Sequence, residues 1–418
     1  MTSPSKDPLT LPDIVDYVIP HLNVRQSLAR AARVCKAWNA IYIPALWRVV
    51  NYNCMDKTVP AFERHGAFVR RLTISYLDDH HLELISHFCP HIESLVLWSN
   101  SFASVEKLAP YLKSVRPMLK QLVVNSTELS SEDVVSLLVG DGTGDDAAVG
   151  DLALKELKVN CFGKFSMLSW ESLMILLKVG SNLETLRWQD VEILVPGDRS
   201  GENRIQQLLK AVTATEKASG LEEKDIRLLE DHTKITSLTL RQVVVNDRTL
   251  IQLLGKTPGL TYLYYDSRRR ITDEALGVLS TLCPELKQLM LLSDNLLPFP
   301  TCTQLFRPSA ITNRSLNLEV LYLNQCELDD TSLGLLILTQ GSTLLEMALC
   351  KCLQFTDLRA KAILSGCRRL TILYLYGDHT ITLATQEGDE PYNLVADAKR
   401  KGWTCHKAME ILEICNVE

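Results

Sequence analysis

Leu260-Thr261-Tyr262-Leu263-Tyr264-Tyr265 and, 26 residues on, Leu286-Lys287-Gln288-Leu289-Met290-Leu291 decide how this sequence folds. Each reads as an apolar residue, two of any kind, a leucine, one of any kind, and another apolar residue. The pattern continues as Leu318/Leu321/Leu323, Leu344/Met347/Leu349 and Leu370/Leu373/Leu375. In the other direction it appears as Ile235/Leu238/Leu240, Leu183/Leu186/Trp188, Leu154/Leu157/Val159, Leu119/Leu122/Val124, Ile92/Leu95/Leu97 and Val69/Leu72/Ile74. A further copy is Met409/Leu412/Ile414. The central residues are separated by 23, 27, 35, 29, 52, 25, 26, 32, 26, 26 and 39 positions, so the basic unit is close to 26 residues. An internal repeat of this period is the first thing to settle, because it governs the whole architecture.

Alternation along each copy sends its two inner apolar residues to one face of a short strand and their neighbours to the other. Between copies the spacing turns helical, as in Leu276, Leu279 and Leu282 within 273–283. One strand and one helix per unit cannot bury an apolar face alone, so neighbouring units must stack. This pattern resembles a leucine-rich repeat over roughly 69–418. The resemblance implies an α/β leucine-rich-repeat solenoid, a right-handed β-α superhelix.

The cysteines follow the same register. Cys89, Cys283 and Cys367 each precede the central leucine by six residues, and Cys326 and Cys352 follow it by five. They read as structural thiols, similar to those of the cysteine-containing subtype of the repeat. The stretched gaps place insertions near 128–151, 190–234, 294–317 and 377–404. The first holds seven acidic residues and no Lys or Arg, and is expected to be a loop.

The first 50 residues lack the repeat. Leu11-Pro12-Asp13-Ile14-Val15 opens a short helix, Ser27 to Trp38 is helical by composition, and Pro44-Ala45-Leu46-Trp47-Arg48 follows. Some 40 residues of small helices are too few for an independent core, so the module should pack on a neighbour or a partner. Leu-Pro-x-Ile-Val at 11–15, Val18, Leu22, Leu28, Val-Cys-Lys-x-Trp at 34–38 and Leu-Trp at 46–47 resemble an F-box. That resemblance implies a domain layout of a 1–10 disordered tail, an 11–50 F-box and a 51–418 repeat domain. It also implies that Leu11, Pro12, Ile14, Val15, Leu28, Val34, Cys35 and Trp38 dock on a Skp-type adaptor and, through it, a cullin. Pro20 departs from the pattern late in the first helix. Arg25, Arg30, Arg33, Lys36 and Arg48 against Asp13 and Asp16 suit an acidic partner.

Composition excludes several classes. With 46% apolar residues, 22% charged and a net charge of −6, the 418-residue chain is an ordinary globular one and a poor phosphate-backbone binder. No apolar run approaches the ~18 residues of a membrane span, and residues 1–7 carry no apolar signal core. A cytoplasmic or nuclear chain with reduced thiols is expected. His80, His81, His87, Cys89 and His91 invite a zinc reading, but a helix carrying 81 and 87 points them apart. The glycines at 140–150 lack the Lys of a phosphate loop, and no nucleophile elbow or kinase signature occurs. Neither catalysis nor a cofactor is expected.

Binding is therefore the expected work. The residues one and three places after each central leucine share the face away from the helices, among them Trp98, Arg187, Arg241, Tyr264, Tyr322, Tyr374 and Tyr376. Such residue types anchor interfaces. Arg268, Arg269 and Arg270 directly follow one strand and form a candidate clamp for an acidic or phosphorylated target segment. The leading expectation is a substrate-recognition subunit of a Skp–cullin–F-box ubiquitin ligase, serving ubiquitin-dependent protein catabolism. The alternative is a ligase-independent repeat scaffold or inhibitor whose F-box-like region caps the solenoid, with Trp47, Val50 and Tyr52 beginning an imperfect first strand.

Overall fold

The computed structural model describes residues 25–52, 59–75, 78–99, 105–139, 152–161, 166–194, 233–268, 271–293, 299–309, 312–352, 356–376, 403–408 and 411–416. The chain is α/β, built of parallel strands and helices in two compact units, Met1–Lys164 and Phe165–Glu418.

The first unit runs α1 (Arg25–Ala31), α2 (Lys36–Trp47), β1 (Val49–Tyr52), α3 (Val59–His65), β2 (Arg71–Ile74), α4 (Asp79–Phe88), β3 (Ser94–Ser99), α5 (Val105–Val115), β4 (Gln121–Ser126), α6 (Ser131–Val139) and β5 (Glu156–Cys161). Its strands pair in parallel in chain order, with Val50, Leu72, Leu95, Leu122 and Leu157 in register. Sequential order follows from the helical crossover that each parallel pair requires. Helix α4 starts where Asp78 accepts the His81 N–H, so one helix-end donor is satisfied by a side chain.

Residues 131–139 of the 128–151 segment are not the loop that its acidity suggests, because α6 occupies them. Ser130 and Asp133 cap each other reciprocally: Asp133 Oδ2 accepts the Ser130 N–H at 2.8 Å and Ser130 Oγ accepts the Asp133 N–H at 3.1 Å. Val134, Val135, Leu137 and Leu138 are buried beneath it. The acids thus favour a helix start, where negative charge meets the dipole. Residues 140–150, with the glycine cluster, lie outside the described residues.

The second unit runs β6 (Ser166–Ser169), α7 (Trp170–Val179), β7 (Thr185–Gln189), β8 (Val191–Leu194), β9 (Ser237–Val243), α8 (Asp247–Gly255), β10 (Tyr262–Ser267), α9 (Asp273–Gly277), α10 (Leu279–Leu282) and β11 (Gln288–Ser293). It continues with β12 (Phe299–Thr301), α11 (Thr303–Phe306), β13 (Val320–Asn324), β14 (Cys326–Glu327), α12 (Asp330–Gln340), β15 (Glu346–Cys350), α13 (Asp357–Gly366), β16 (Ile372–Tyr376), β17 (Trp403–Ala408) and β18 (Ile411–Asn416). The main sheet follows the order β7-β9-β10-β11-β13-β15-β16-β18-β17, and β6-β8 and β12-β14 form two small parallel pairs.

Leu186, Leu238, Leu263, Leu289, Leu321, Met347 and Leu373 stand side by side across seven strands, each no more than 1% exposed. Each such side chain contributes about 1.5–3 kcal/mol by leaving water, so the ladder is the main source of cohesion. Ser169, Asn246, Thr272, Asp329 and Thr356 cap the helices by accepting the N–H three residues on.

Three expectations change in this unit. Residues 191–194 and 299–306, placed within insertions, form β8, β12 and α11, where Cys302, Leu305 and Phe306 supply the buried face of that repeat. The rest of the 190–234 insertion, 195–232, lies outside the described residues. The last copy is antiparallel: β18 aligns Leu412 with Leu375 and Ile414 with Leu373, and pairs with β17 in a hairpin. Only two residues, 409 and 410, separate those strands, too few for a parallel crossover. Met409 and most of the 377–404 insertion lie outside the described residues.

Asp190, Gln242, Gln325 and Lys351, each four residues past the central leucine, adopt left-handed backbone with φ of 56, 51, 56 and 50°. This bend turns the next residue inward. Cys326 and Cys352 are consequently buried, and Cys352 Sγ donates to the Leu323 carbonyl at 3.5 Å.

Candidate functional site

The strand face opposite the helices is organised by register into three rows in the second unit. The middle row is Arg187, Thr239, Tyr264, Met290, Tyr322, Ala348 and Tyr374. Arg241 lies beside Gln189, Asp266 beside Leu292, and Asn324 beside Cys350 and Tyr376, in the row that follows. Most of these side chains are half-buried, while Arg241 is exposed.

A third row, one place before each central leucine, holds Thr185, Ser237, Tyr262, Gln288, Val320, Glu346 and Ile372. Sequence reading passed over it, although the same alternation carried one residue back finds it. It supplies two partners of the middle row. The Tyr322 hydroxyl donates to Glu346 Oε1 at 2.8 Å, and the Tyr262 hydroxyl lies 3.7 Å from Met290 Sδ.

Positive charge gathers at one end of this face. Neither Arg187 nor Arg241 is ion-paired with a described residue, and Arg187 Nε is sealed from solvent without an acceptor. Burial holds the Tyr262 and Tyr264 phenols above their usual range. The Arg187 charge opposes this at both, as Arg241 does at Tyr264, where Asp266 adds to the rise. Both tyrosines are therefore protonated donors at neutral pH. Tyr322 is pushed up too, by burial, then by its hydrogen bond to Glu346 and that carboxylate's charge.

Arg268 sits elsewhere. Its Nη2 pairs with Asp190 Oδ1 at 3.2 Å, and its main-chain N–H donates to the Val243 carbonyl, so this residue ties turns together within the unit. Arg269 and Arg270 lie outside the described residues.

In the first unit Trp98 is 51% exposed, in line with Asn125 and Asn160. Asn160 Nδ2 donates to Asn125 Oδ1 at 2.5 Å. The next row is a polar chain in which Ser94 Oγ donates to Gln121, Gln121 Nε2 donates to Glu156, and Glu156 pairs with Lys158.

The N-terminal helices form a small cluster of Ala31, Ala32 and Tyr42 with Leu28, Trp38, Ile41 and Ile43 packed on it. The helical stretch breaks after Ala31 and resumes at Lys36, because Cys35 is extended at φ −158° and its Sγ accepts the Trp38 N–H at 3.5 Å. Pro44 lies inside α2 rather than after it. Trp38 packs on Tyr42 at 5.4 Å, and Val34 projects with 63% of its surface exposed. Arg25, Arg30, Arg33, Lys36 and Arg48 are all exposed. Trp47 stacks on His65 at 5.1 Å and meets Phe62 edge-on at 6.4 Å, and β1 begins directly after it. Leu11, Pro12, Ile14, Val15 and Pro20 lie outside the described residues.

Cys89, Cys283, Cys326, Cys350, Cys352 and Cys367 are thiols outside any disulfide. Burial pushes Cys89, Cys283 and Cys352 up to about 12 and Cys367 to about 11, so they stay protonated and unreactive at neutral pH. Cys326 is raised by burial first and then by its neighbour Cys302. His81 Nδ1 is 2.6 Å from Asp78 Oδ1 and His87 packs against Phe88, and among the described residues no three His, Cys, Asp or Glu converge as metal ligands do. Among the described residues no helix is long and apolar enough to cross a membrane.

No protein-family description matches this sequence, and no curated protein matches it significantly. Among solved structures, it is similar to the crystal structure of the Rad7 and Elc1 complex in yeast, at 16% identity over 95% of this chain and 100% of that one, with a TM-score of 0.38. A likeness of that size carries no argument about fold or function.

Proposed function

We propose that this chain is the non-catalytic substrate-recognition subunit of a Skp–cullin–F-box ubiquitin ligase in the cytoplasm or nucleus. Its F-box-like helices hold the Skp-type adaptor, and its leucine-rich repeats hold a target protein for ubiquitination. The chain contributes proximity and orientation, and the covalent chemistry belongs to its partners. The observation that carries this reading is the rim of the helical segment. Val34 stands 63% exposed and Arg25, Arg30, Arg33, Lys36 and Arg48 are exposed, while the described helices gather only Ala31, Ala32 and Tyr42 into a buried cluster. An exposed apolar side chain on a helical segment rich in exposed cations suits an acidic protein surface with an apolar pocket.

Co-elution of the full chain with a purified Skp-type adaptor tests it. The wild type is expected to co-elute, whereas Leu11→Ala with Pro12→Ala, or Val34→Asp, abolishes co-elution while leaving the melting curve unchanged. Wild-type failure to bind would overturn the reading in favour of a ligase-independent scaffold or inhibitor. A specific observation favours that second reading. The stacking of Trp47 on His65 and the pairing of β1 with β2 make α2 continuous with the first repeat, as a solenoid cap is.

A further inference from the structure

We propose that the outer face of the second unit binds an extended protein segment bearing an acidic group opposite Arg187 and Arg241 and an apolar side chain three to four residues away, against Met290 and Leu292. This rests on reading that face as the target-binding surface.

Three observations lead to it. First, Arg187 and Arg241 stand on adjacent strands, β7 and β9, with no described ion-pair partner, and Arg187 Nε is sealed without an acceptor. A buried donor left unmade costs stability, and an incoming anion would repay it. Second, the Tyr264 phenol feels both guanidinium charges and remains protonated, so a further donor borders the same spot. An acidic side chain there would meet charge-assisted hydrogen bonds, the strong kind.

Third, the face is graded. Asp266 stands on the next strand, beside Leu292, and Glu346 is held by Tyr322. The two cations stand at the β7–β9 end, which is where the acid of the ligand belongs. Beyond Asp266 come Met290 and Leu292 on β11, half-buried and apolar. Strands are spaced about 4.8 Å apart, so β11 lies roughly 10 Å from β9 and 14 Å from β7. A chain crossing the strands at about 3.3 Å per residue covers that in three to four residues. The cationic end and the apolar strip together give the site a direction as well as a charge preference.

The experiment is a fluorescence-anisotropy scan with the full-length chain and fluorescein-labelled twelve-residue Gly/Ser peptides. Each peptide carries one Glu or phosphoserine and one Leu, separated by one to six residues. Affinity is expected to peak at a separation of three to four, and to fall at least tenfold when the acid is replaced by Gln. The double variant Arg187→Gln with Arg241→Gln loses the same tenfold with its melting curve unchanged, and Arg187→Glu with Arg241→Glu comes to prefer a Lys-bearing peptide. The Glu and phosphoserine series distinguish a carboxylate from a phosphate as the group recognised.

A separation profile without a maximum, no binding of any member at about 1 mM, or equal binding by the double variants overturns the proposal. So does a twelve-residue oligothymidylate that binds as tightly as the best peptide. Adaptor co-elution is measured on the same preparations. A chain that keeps the adaptor but fails the scan refutes this inference alone, and one that passes the scan without the adaptor refutes only the ligase assignment.

Discussion

Leu289 and Met290 are neighbours in β11 with opposite fates, and truncating each to alanine tests the register on which the repeat depends. Leu289 is 0% exposed, flanked in the ladder by Leu263 and Leu321, at 1% and 0%. Leu289→Ala removes three carbons, about 2.4 kcal/mol at roughly 0.8 per methylene. The flanking leucines are pinned by parallel strands and cannot collapse into the void, so a cavity contribution of about 1–2 kcal/mol adds to this. The expected total is about 3.5–4.5 kcal/mol. Met290 faces outward and touches the Tyr262 hydroxyl through its sulfur, so Met290→Ala should cost about 1 kcal/mol or less. Urea denaturation followed by circular dichroism reads both. The first transition is the one to compare, since repeat units lose cooperativity. Equal losses, or a larger loss at Met290, would refute the assignment of faces, because a one-residue slip exchanges them.

Two further predictions follow from local geometry. Burial pushes Asp273 up to about 6, against two bonds from the Gln304 N–H at 3.0 and 3.1 Å and with Glu274 adding to the rise. Its folded value lies above the unfolded one. The stabilising preference for the protonated carboxyl is therefore complete below about pH 4 and is lost as pH rises toward and past 6. Asp273→Asn retains an acceptor for Gln304 without the charge. Its stability advantage should grow between pH 5 and 7.5 by up to about 1 kcal/mol, after discounting for partial exposure. A pH-independent difference in urea midpoints would contradict this.

The C-terminal ends of α12 and α13 approach closely. A Cβ at Gly341 meets the main-chain carbonyl oxygens of Ile337 and Gly366, the latter at 2.7 Å, whereas one at Gly366 meets the Ile337 side chain. Each alanine should cost about 1–3 kcal/mol. Ile337→Ala should partly rescue Gly366→Ala but not Gly341→Ala, as thermal melts of the double variants would show.

The strand copies were legible because their signal is local and repeated. Alternation assigns the inner residues, and a period near 26 aligns Leu263 with Leu289 without knowledge of anything distant. The caps at Asp329 and Thr356 carry the same kind of short-range information. The site was legible in half: the rows holding Arg187, Tyr264 and Tyr322 follow from alternation, and Tyr262 and Glu346 follow from the same rule taken one residue further.

Other features depend on partners far along the chain. Composition made 128–139 look like an acidic loop, but Val134, Val135, Leu137 and Leu138 find a core to cover, and that burial makes it a helix. Arg268 looked like one member of a free cationic cluster, yet Asp190, 78 positions earlier, takes its guanidinium. The left-handed turns at Gln325 and Lys351 have no glycine to announce them. They persist because their N–H groups bond the Cys350 and Tyr376 carbonyls of the next strand, at 2.7 Å each. The sequence by itself determined which side chains enter the ladder, since hydrophobic alternation acts between adjacent residues. Tertiary structure decided which charges stay free to meet a ligand, since an ion pair is settled by distance in space.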